Sequence, residues 1–133
     1  MSAVGYSGKA VWEKLGLKPG LRVSVLGQDV EYAPLVGLDF EVLSTLPKDA
    51  ELVHLFAVER STLELELDRL WQECTRTVVV WVSWPKKASK VPTDVDEQVI
   101  RDVCLPMGWV DVKVCAVSDV WSGLKLVVRK ELR

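Results

Sequence analysis

The sequence predicts an α/β fold, a single domain over residues 1–133 with one mostly parallel sheet and a C-terminal antiparallel hairpin strand. Two observations predict this fold. Short apolar segments typical of buried strands alternate along the chain with segments whose apolar residues recur at helical spacing. The chain then ends in two alternating segments joined by a short turn, the pattern of a hairpin. Strand–helix alternation favours parallel neighbours, and the hairpin adds one strand of the opposite direction.

The first part of the chain is predicted to contain a helix, a strand and a second helix. Ser7 is the expected N-cap of the first helix, and Gly16 is the expected left-handed residue that ends it. Residues 22–26 form the first predicted strand. A second short helix is expected within residues 29–36, broken at Pro34 because proline lacks a backbone donor.

The next two predicted strands, 40–43 and 52–58, raise a problem of connection. Only residues 44–51 join them, whereas a parallel crossover normally takes a dozen residues or more. Either the two strands form a hairpin around residues 47–49, or the link runs extended beneath the sheet. The segment 52–58 is apolar enough to predict a central strand.

The second half of the chain has the clearest helix signals. Residues 61–64 have the capping-box pattern, and a helix is predicted from there to about Arg76. A buried strand is predicted at 77–83. Thr93 is the expected N-cap of a further helix, which the proline and glycine within residues 106–108 would stop.

The terminal hairpin is predicted from two segments with alternating apolar residues. These segments are 110–116 and 124–128, and a turn at 119–123 joins them. We expect the last strand to pair antiparallel with the one before it. We also expect the strand at 77–83 to lie inside the sheet and not at its edge.

The loop between the strand at 77–83 and the helix after Thr93 is the candidate binding site. A loop of this kind is where an open α/β sheet usually binds its ligand. It contains three lysines and the hydroxyls of Ser89 and Thr93, which favour an anion, and the N–H groups at the helix start add partial positive charge. The alternative is a solvated loop without a ligand. The predicted binding residues, with one tryptophan stacking on a ligand ring, are Trp84, Lys86, Lys87, Ser89, Thr93, Trp121 and Ser122.

Charge and cysteine content argue against several function classes. The 17 Lys and Arg residues against 19 Asp and Glu residues give a net charge of −2, which provides no field for non-specific nucleic-acid binding. No apolar run approaches the roughly 18 to 20 residues that cross a bilayer. The N-terminus lacks the features of a signal peptide. The three cysteines have no CxxC spacing, so we expect free thiols in the cytoplasm and no metal site.

His54 and Cys115 are the two candidate catalytic residues of the sequence. His54, the single histidine, could act as a general base, but it lies inside an apolar segment, and a hydrogen-bonded core residue is the favoured interpretation. Cys115 shares a strand face with Lys113, yet a structural thiol is favoured. No zinc-protease, phosphate-loop, nucleophile-elbow or paired-carboxylate motif is present. We therefore predict no catalytic residue.

Residues 15–23, Leu-Gly-Leu-Lys-Pro-Gly-Leu-Arg-Val, resemble the lead-in to the first strand of class I S-adenosylmethionine-dependent methyltransferases. The closing helix–strand–hairpin unit is similar too. The resemblance implies a Rossmann-like, methyltransferase-like sheet. Those enzymes have an acidic residue in the first strand and a glycine-rich turn after it. This chain has Val25 at the acidic position and only Gly27 in the turn, followed by Gln28, so we expect no cofactor.

A second resemblance covers nearly the whole chain. Five segments are similar to a bacterial family of short proteins of unknown function. This family implies a bacterial cytoplasmic protein and supplies no activity. The matching segments are 5–8, 54–56, 81–94, 110–117 and 121–127.

These observations lead to one expected function and two alternatives. The first is a non-catalytic binding or regulatory module for a small anion, a nucleotide or an acidic protein segment at the Lys86–Lys87 edge. The second is a small enzyme, a degenerate methyltransferase-like protein with an uncharacterised site on the same edge. The third is an interaction protein that forms homo-oligomers through Trp12, Trp84 and Trp121. Membranes and nucleic acids are not expected partners.

Overall fold

The computed structural model describes residues 9–27, 30–39 and 41–133, which build one five-stranded sheet. The first three strands are parallel neighbours, and the fifth lies antiparallel between the third and the fourth. The mostly parallel sheet with one antiparallel hairpin strand is therefore confirmed, and β3 lies inside the sheet. The spatial order is β1-β2-β3-β5-β4, with β1 at Val23–Leu26, β2 at Leu52–Phe56, β3 at Val79–Pro85, β4 at Trp109–Ala116 and β5 at Trp121–Val128.

Helices cover the sheet on both faces. Helices α3 (Arg60–Glu73) and α4 (Glu97–Met107) cover one face, where their apolar residues join a cluster that includes Val80 and Leu126. Helices α1 (Val11–Leu15) and α2 (Tyr32–Val36) cover the other, where a second cluster surrounds Phe56 and Trp81. Strands buried on both faces explain the continuous apolar runs of β2 and β3.

The short helices α1 and α2 agree in part with the helices predicted from the sequence. Gly16 ends α1 in the left-handed conformation, with φ 80°, as predicted. The expected cap Ser7 lies outside the described residues, and Ala10 directly precedes the helix. The expected break at Pro34 is wrong, because Pro34 is the third residue of α2. A proline is tolerated there, since the first N–H groups of a helix have no partner within it.

The connection that the sequence left open runs beneath the sheet. Leu43 forms a single parallel bridge with Ser24, through hydrogen bonds to Val23 and Val25. Leu52 starts β2 on the other side of β1. The link therefore passes from one side of β1 to the other, and the hairpin alternative is excluded. The predicted strand at 40–43 is reduced to this bridge, and residue 40 lies outside the described part.

Helices α3 and α4 begin at other caps than predicted. Helix α3 starts at Arg60, one residue before the capping-box pattern, and ends at Glu73 instead of about Arg76. Helix α4 starts at Glu97, and its N-cap is Asp96. Gly108 ends α4 with φ 115°, as expected. Pro106 does not stop the helix and lies inside its last turn.

Candidate functional site

A cleft of about 380 Å³ lies at the carboxyl end of β3, where the predicted loop leaves the sheet. Carboxyl ends of parallel strands in an open α/β sheet are the usual place of a ligand. The cleft has an apolar wall and two lysines at its rim. Its lining includes Trp84, Lys87, Lys90, Pro92, Thr93 and Val95.

The structure brings some of the predicted residues together and separates others. Trp84, Lys87 and Thr93 line the cleft. Ser122 is the cross-strand partner of Trp84, so it lies beside Trp84 on the same face of the sheet. Trp121 pairs with Pro85 and packs in the cluster on the opposite face. The two tryptophans therefore do not converge on one ligand.

Hydrogen bonds join the loop after β3 to the hairpin turn and also connect residues within the loop. The Lys86 backbone N–H donates to the carbonyl of Val120 at 2.7 Å. The Ser89 hydroxyl donates to the Lys86 carbonyl at 2.6 Å and accepts from the Val91 N–H at 3.3 Å. The Ser89 side chain is thus already used to shape the loop.

Thr93 does not cap a helix, contrary to the prediction. Its hydroxyl donates to the carbonyl of Val58, which follows β2, and accepts from the Val95 N–H at 3.0 Å. The carboxylate of Asp96 takes the capping role and accepts from the Val99 N–H at 2.9 Å. The helix begins only at Glu97, so Thr93 lies too far before it to reach its first N–H groups, and its hydroxyl shapes the preceding turn.

Asp94 has a role that the sequence does not reveal. Its carboxylate accepts from the Arg60 N–H at 2.7 Å and so satisfies the first turn of α3. Its own N–H donates to the Val58 carbonyl at 3.3 Å. Asp94 is 34 residues from Arg60 in the chain, so no local motif could have found this cap.

The lysines of the cleft form no ion pair within the described part of the chain, although two carboxylates also line the cleft. No ion pair among the described residues includes Lys86, Lys87 or Lys90. The two acidic residues on the cleft, Asp94 and Asp96, each direct a carboxylate oxygen to a helix N–H group. The cleft can therefore offer ammonium groups to an anion.

Lys90 also has an unusual backbone. Its φ of 61° makes it the single positive-φ residue other than glycine among those described. Such conformations cost energy and recur at ligand-binding sites. Lys90 is the third lysine of the loop and is not among the predicted binding residues, because lysine gives no sequence signal for this conformation.

His54 belongs to a buried hydrogen-bond chain on the α1–α2 face. The Tyr32 hydroxyl lies 2.7 Å from His54 Nδ1, and Ser83 Oγ lies 2.6 Å from His54 Nε2. His54 and Ser83 are fully buried, and the imidazole stacks on Phe56 with 4.2 Å between ring centroids. Burial lowers the pKa of His54 to about 3. His54 is thus a neutral core residue, as the sequence favoured.

The cysteines are free and poorly reactive. Burial raises the pKa of the Cys115 thiol, against the opposing effect of Lys14 and Lys113. Burial also raises the pKa of Cys104 to about 12 and that of Cys74 above its usual range. Among the residues that the structure describes, no cluster of His, Cys, Asp and Glu could hold a metal ion. No helix of this part is long and apolar enough to span a bilayer.

The glycine after β1 packs against protein backbone. Gly27 has φ 94°, and a Cβ atom on it would lie 2.0 Å from the carbonyl oxygen of Phe56. The space that a glycine leaves open is therefore filled by β2. Next to it lies a cavity of about 490 Å³, with Val25, Tyr32 and Leu43 in its wall.

Comparisons with known proteins identify the fold. No family model and no curated protein sequence matches the chain. Magnesium protoporphyrin IX methyltransferase from Synechocystis PCC 6803, solved with bound S-adenosylmethionine, has a TM-score of 0.56 and 16% identity over 83% of this chain and 71% of that one. A SAM-dependent methyltransferase from Aquifex aeolicus gives 0.57 and 15% over 89% and 88%.

A third solved structure agrees. The ribosomal protein L11 methylase from Lactobacillus delbrueckii subsp. bulgaricus gives a TM-score of 0.54 and 14% identity over 87% of this chain and 73% of that one. Identities this low show the fold alone. The predicted resemblance to class I methyltransferases is confirmed at that level, and the chain has their Rossmann-like fold.

Proposed function

We propose that the protein is a non-catalytic module that binds a small anion at the cleft after β3. The observation that supports this proposal is the pair of lysines, Lys87 and Lys90, that line the cleft without an acidic partner among the described residues. The proposal includes Lys86, half-buried at the start of the same loop. It includes a bacterial origin, as the resemblance to the bacterial family implies, and a cytoplasmic location, in line with three free thiols.

The form of the cleft favours an anion with a compact apolar part, such as a nucleotide. Trp84, Pro92 and Val95 offer apolar contact opposite the lysines. Trp84 is only 8% exposed, so it contributes the edge of a wall and not an open ring face for stacking. The Ser89 hydroxyl donates within the loop and the Thr93 hydroxyl donates to Val58 after β2, so both add little to recognition.

A thermal-shift screen with inorganic phosphate and nucleoside phosphates tests the proposal. A ligand at hundredfold excess over its dissociation constant stabilises the folded state by about 2.7 kcal/mol. We expect at least one anion to raise the melting temperature. The variant Lys87→Gln with Lys90→Gln should lose that shift while it keeps the fold, because exposed lysines contribute little to stability.

A matched control removes the same charge elsewhere. Lys18 and Lys48 are exposed and precede β1 and β2, so they lie at the opposite edge of the sheet. The variant Lys18→Gln with Lys48→Gln should keep the full shift. An anion shift that survives in the cleft variant, or no shift with any of these probes, would contradict an anion site in this cleft.

A small methyltransferase-like enzyme is the second candidate, favoured by the solved methyltransferases of the same fold. The residues present fit the cofactor poorly. Val25 offers no carboxylate at the position where the family has an acid, and Gly27 packs against the Phe56 carbonyl. Calorimetric titration with S-adenosylmethionine separates the candidates. Micromolar binding would favour the enzyme, and absence of heat would favour the anion module.

A further inference from the structure

One face of the terminal hairpin is covered by helices and the other is left half-open. On the α3–α4 side, Leu124, Leu126 and Val128 of β5 are buried. On the α1 side, Lys125 and Val127 of the same strand are only half-buried. We infer that this α1 side of the hairpin, called the hairpin face below and formed by Val110, Lys113, Cys115, Lys125 and Val127, docks an acidic segment of a partner protein.

The hairpin face places like charges directly opposite each other. Lys113 of β4 is the cross-strand partner of Lys125 of β5. Like charges in this position destabilise a sheet. A third lysine lies close, because the Lys113 ammonium donates to the backbone carbonyl of Lys14 at 3.2 Å. No ion pair among the described residues includes any of these three lysines.

On the opposite face of β4, by contrast, carboxylates of the same chain neutralise a cation. Arg101 of α4 contacts Asp111 of β4 at 2.9 Å and also pairs with Glu97. That arginine therefore has two carboxylates. The bulge between Asp111 and Lys113 turns the two charged side chains to opposite faces. The hairpin face keeps its positive charge without a carboxylate among the described residues.

The shape and composition of the face favour a protein segment over other anions. Small-molecule sites are concave, whereas the face of two strands is flat. Val110 lies opposite Val127 and adds apolar surface beside the lysines. Single-stranded nucleic acid needs aromatic side chains for stacking. On this side of the sheet Trp81 is fully buried, and Trp121 already packs edge-on against Phe56. Carboxylates alternating with apolar residues would match the lysines and the valines.

Fluorescence anisotropy at low salt tests this docking surface. The probe is a labelled peptide in which glutamate and leucine alternate, and labelled oligo-dT of equal charge is the comparison. We expect the peptide to bind, and Lys113→Gln with Lys125→Gln to weaken it by about tenfold, the sum of two rim ion pairs. The cleft variant Lys87→Gln with Lys90→Gln should bind it within about twofold of the unmodified chain, which separates the two surfaces.

Melting temperature gives a second, independent measurement. Because the two lysines repel, Lys113→Gln with Lys125→Gln should melt no lower than the unmodified chain at low salt, and added salt should stabilise the unmodified chain more. If that variant fails to fold, Lys125→Gln alone is measured, since Lys113 also contacts the end of α1. Any of four results would overturn the inference. The peptide does not bind, or it binds the hairpin variant as well as the unmodified chain. Oligo-dT binds more strongly than the peptide and is weakened by the same lysine substitutions, or Lys125→Gln melts at a lower temperature than the unmodified chain.

Discussion

The loops after β1 and after β3 leave the same edge of the sheet and have opposite character. After β1, Gly27 lies against the backbone of Phe56, and its missing side chain makes room for β2. After β3, the loop borders a cleft lined by Lys87 and Lys90. In a methyltransferase-like fold the first loop is where the cofactor is expected. Here Gly27 packs against β2, and the cavity beside it has Val25 where those enzymes have an acid. The loop after β3 instead has lysines without ion pairs at a cleft.

This difference shows that a shared fold fixes where a binding site can lie but does not fix which chemical groups are present there. Topology brings both loops to the carboxyl edge, whatever their sequence. Whether a place binds a ligand depends on the groups left without partners there. At Gly27 the neighbouring backbone fills the space. At the β3 loop the side chains of Ser89, Thr93 and Asp94 already have hydrogen-bond partners, whereas the ammonium groups form no ion pair among the described residues.

The largest expected effect is at Gly27. We predict that Gly27→Ala lowers the free energy of unfolding by about 4 kcal/mol, the sum of a left-handed backbone and a clash with a carbonyl that cannot move alone. Denaturant unfolding measures this. Gly20→Ala is the matched control, because Gly20 has a similar φ of 88° and nothing within 4 Å of the added carbon.

The control separates the two contributions. Gly20→Ala should cost only about 1 kcal/mol, from backbone conformation alone. Equal losses at both glycines would mean that the packing of Gly27 on Phe56 is not tight, and the cofactor edge would again be open. A Gly27 variant is therefore unsuited to testing cofactor binding, since it disturbs the fold.

The buried chain through His54 predicts acid sensitivity. The folded pKa, about 3, is below the ordinary 6.5, so the unfolded chain binds the proton first as pH falls. The stabilising effect of neutral His54 is thus complete above pH 6.5 and is lost on acidification. Between pH 7 and pH 5 the unfolding free energy should fall by about 2 kcal/mol. His54 is the single histidine of the chain, so His54→Gln isolates its contribution.

Urea unfolding across this range measures the slope. His54→Gln should be less stable at pH 7, because Tyr32 and Ser83 lose their ring partner, and its stability should change little between pH 7 and pH 5. A slope that persists in His54→Gln would assign the proton uptake to another group.

The sequence predicted what depends on local pattern and missed what depends on contacts between distant segments. Strand segments and the hairpin follow from burial and alternation, which the chain itself encodes. The partners of His54 are 22 and 29 residues away, and the cap of α3 is supplied by Asp94 from another loop. Threonine suits the role of a cap, but the helix begins only at Glu97, and the Thr93 hydroxyl instead joins the Val58 carbonyl to the Val95 N–H.

A smaller effect is expected at Asp94, which joins the β3 loop to α3. Asp94→Ala leaves the Arg60 N–H without its acceptor and should cost about 1 kcal/mol, as loss of an N-cap does. Asp94→Asn should cost less than half of that, because asparagine also accepts at an N-cap. Thermal unfolding of the two variants gives the comparison. Equal losses would show that the negative charge matters and not the hydrogen bond.

The smallest expected effect on stability is at the start of the lysine loop. Lys86→Ala with Lys87→Ala should change the unfolding free energy by less than about 0.5 kcal/mol, because neither ammonium group has a partner in the described part of the chain and exposed charges contribute little. The backbone bond from Lys86 to Val120 is unaffected by this change. If the double variant unfolds, the aliphatic stems of the lysines support the loop, and the contrast with Gly27 disappears, since both places would then serve packing. If it stays folded and loses the thermal shift of an anion, the two places on this edge differ in function as well as in structure.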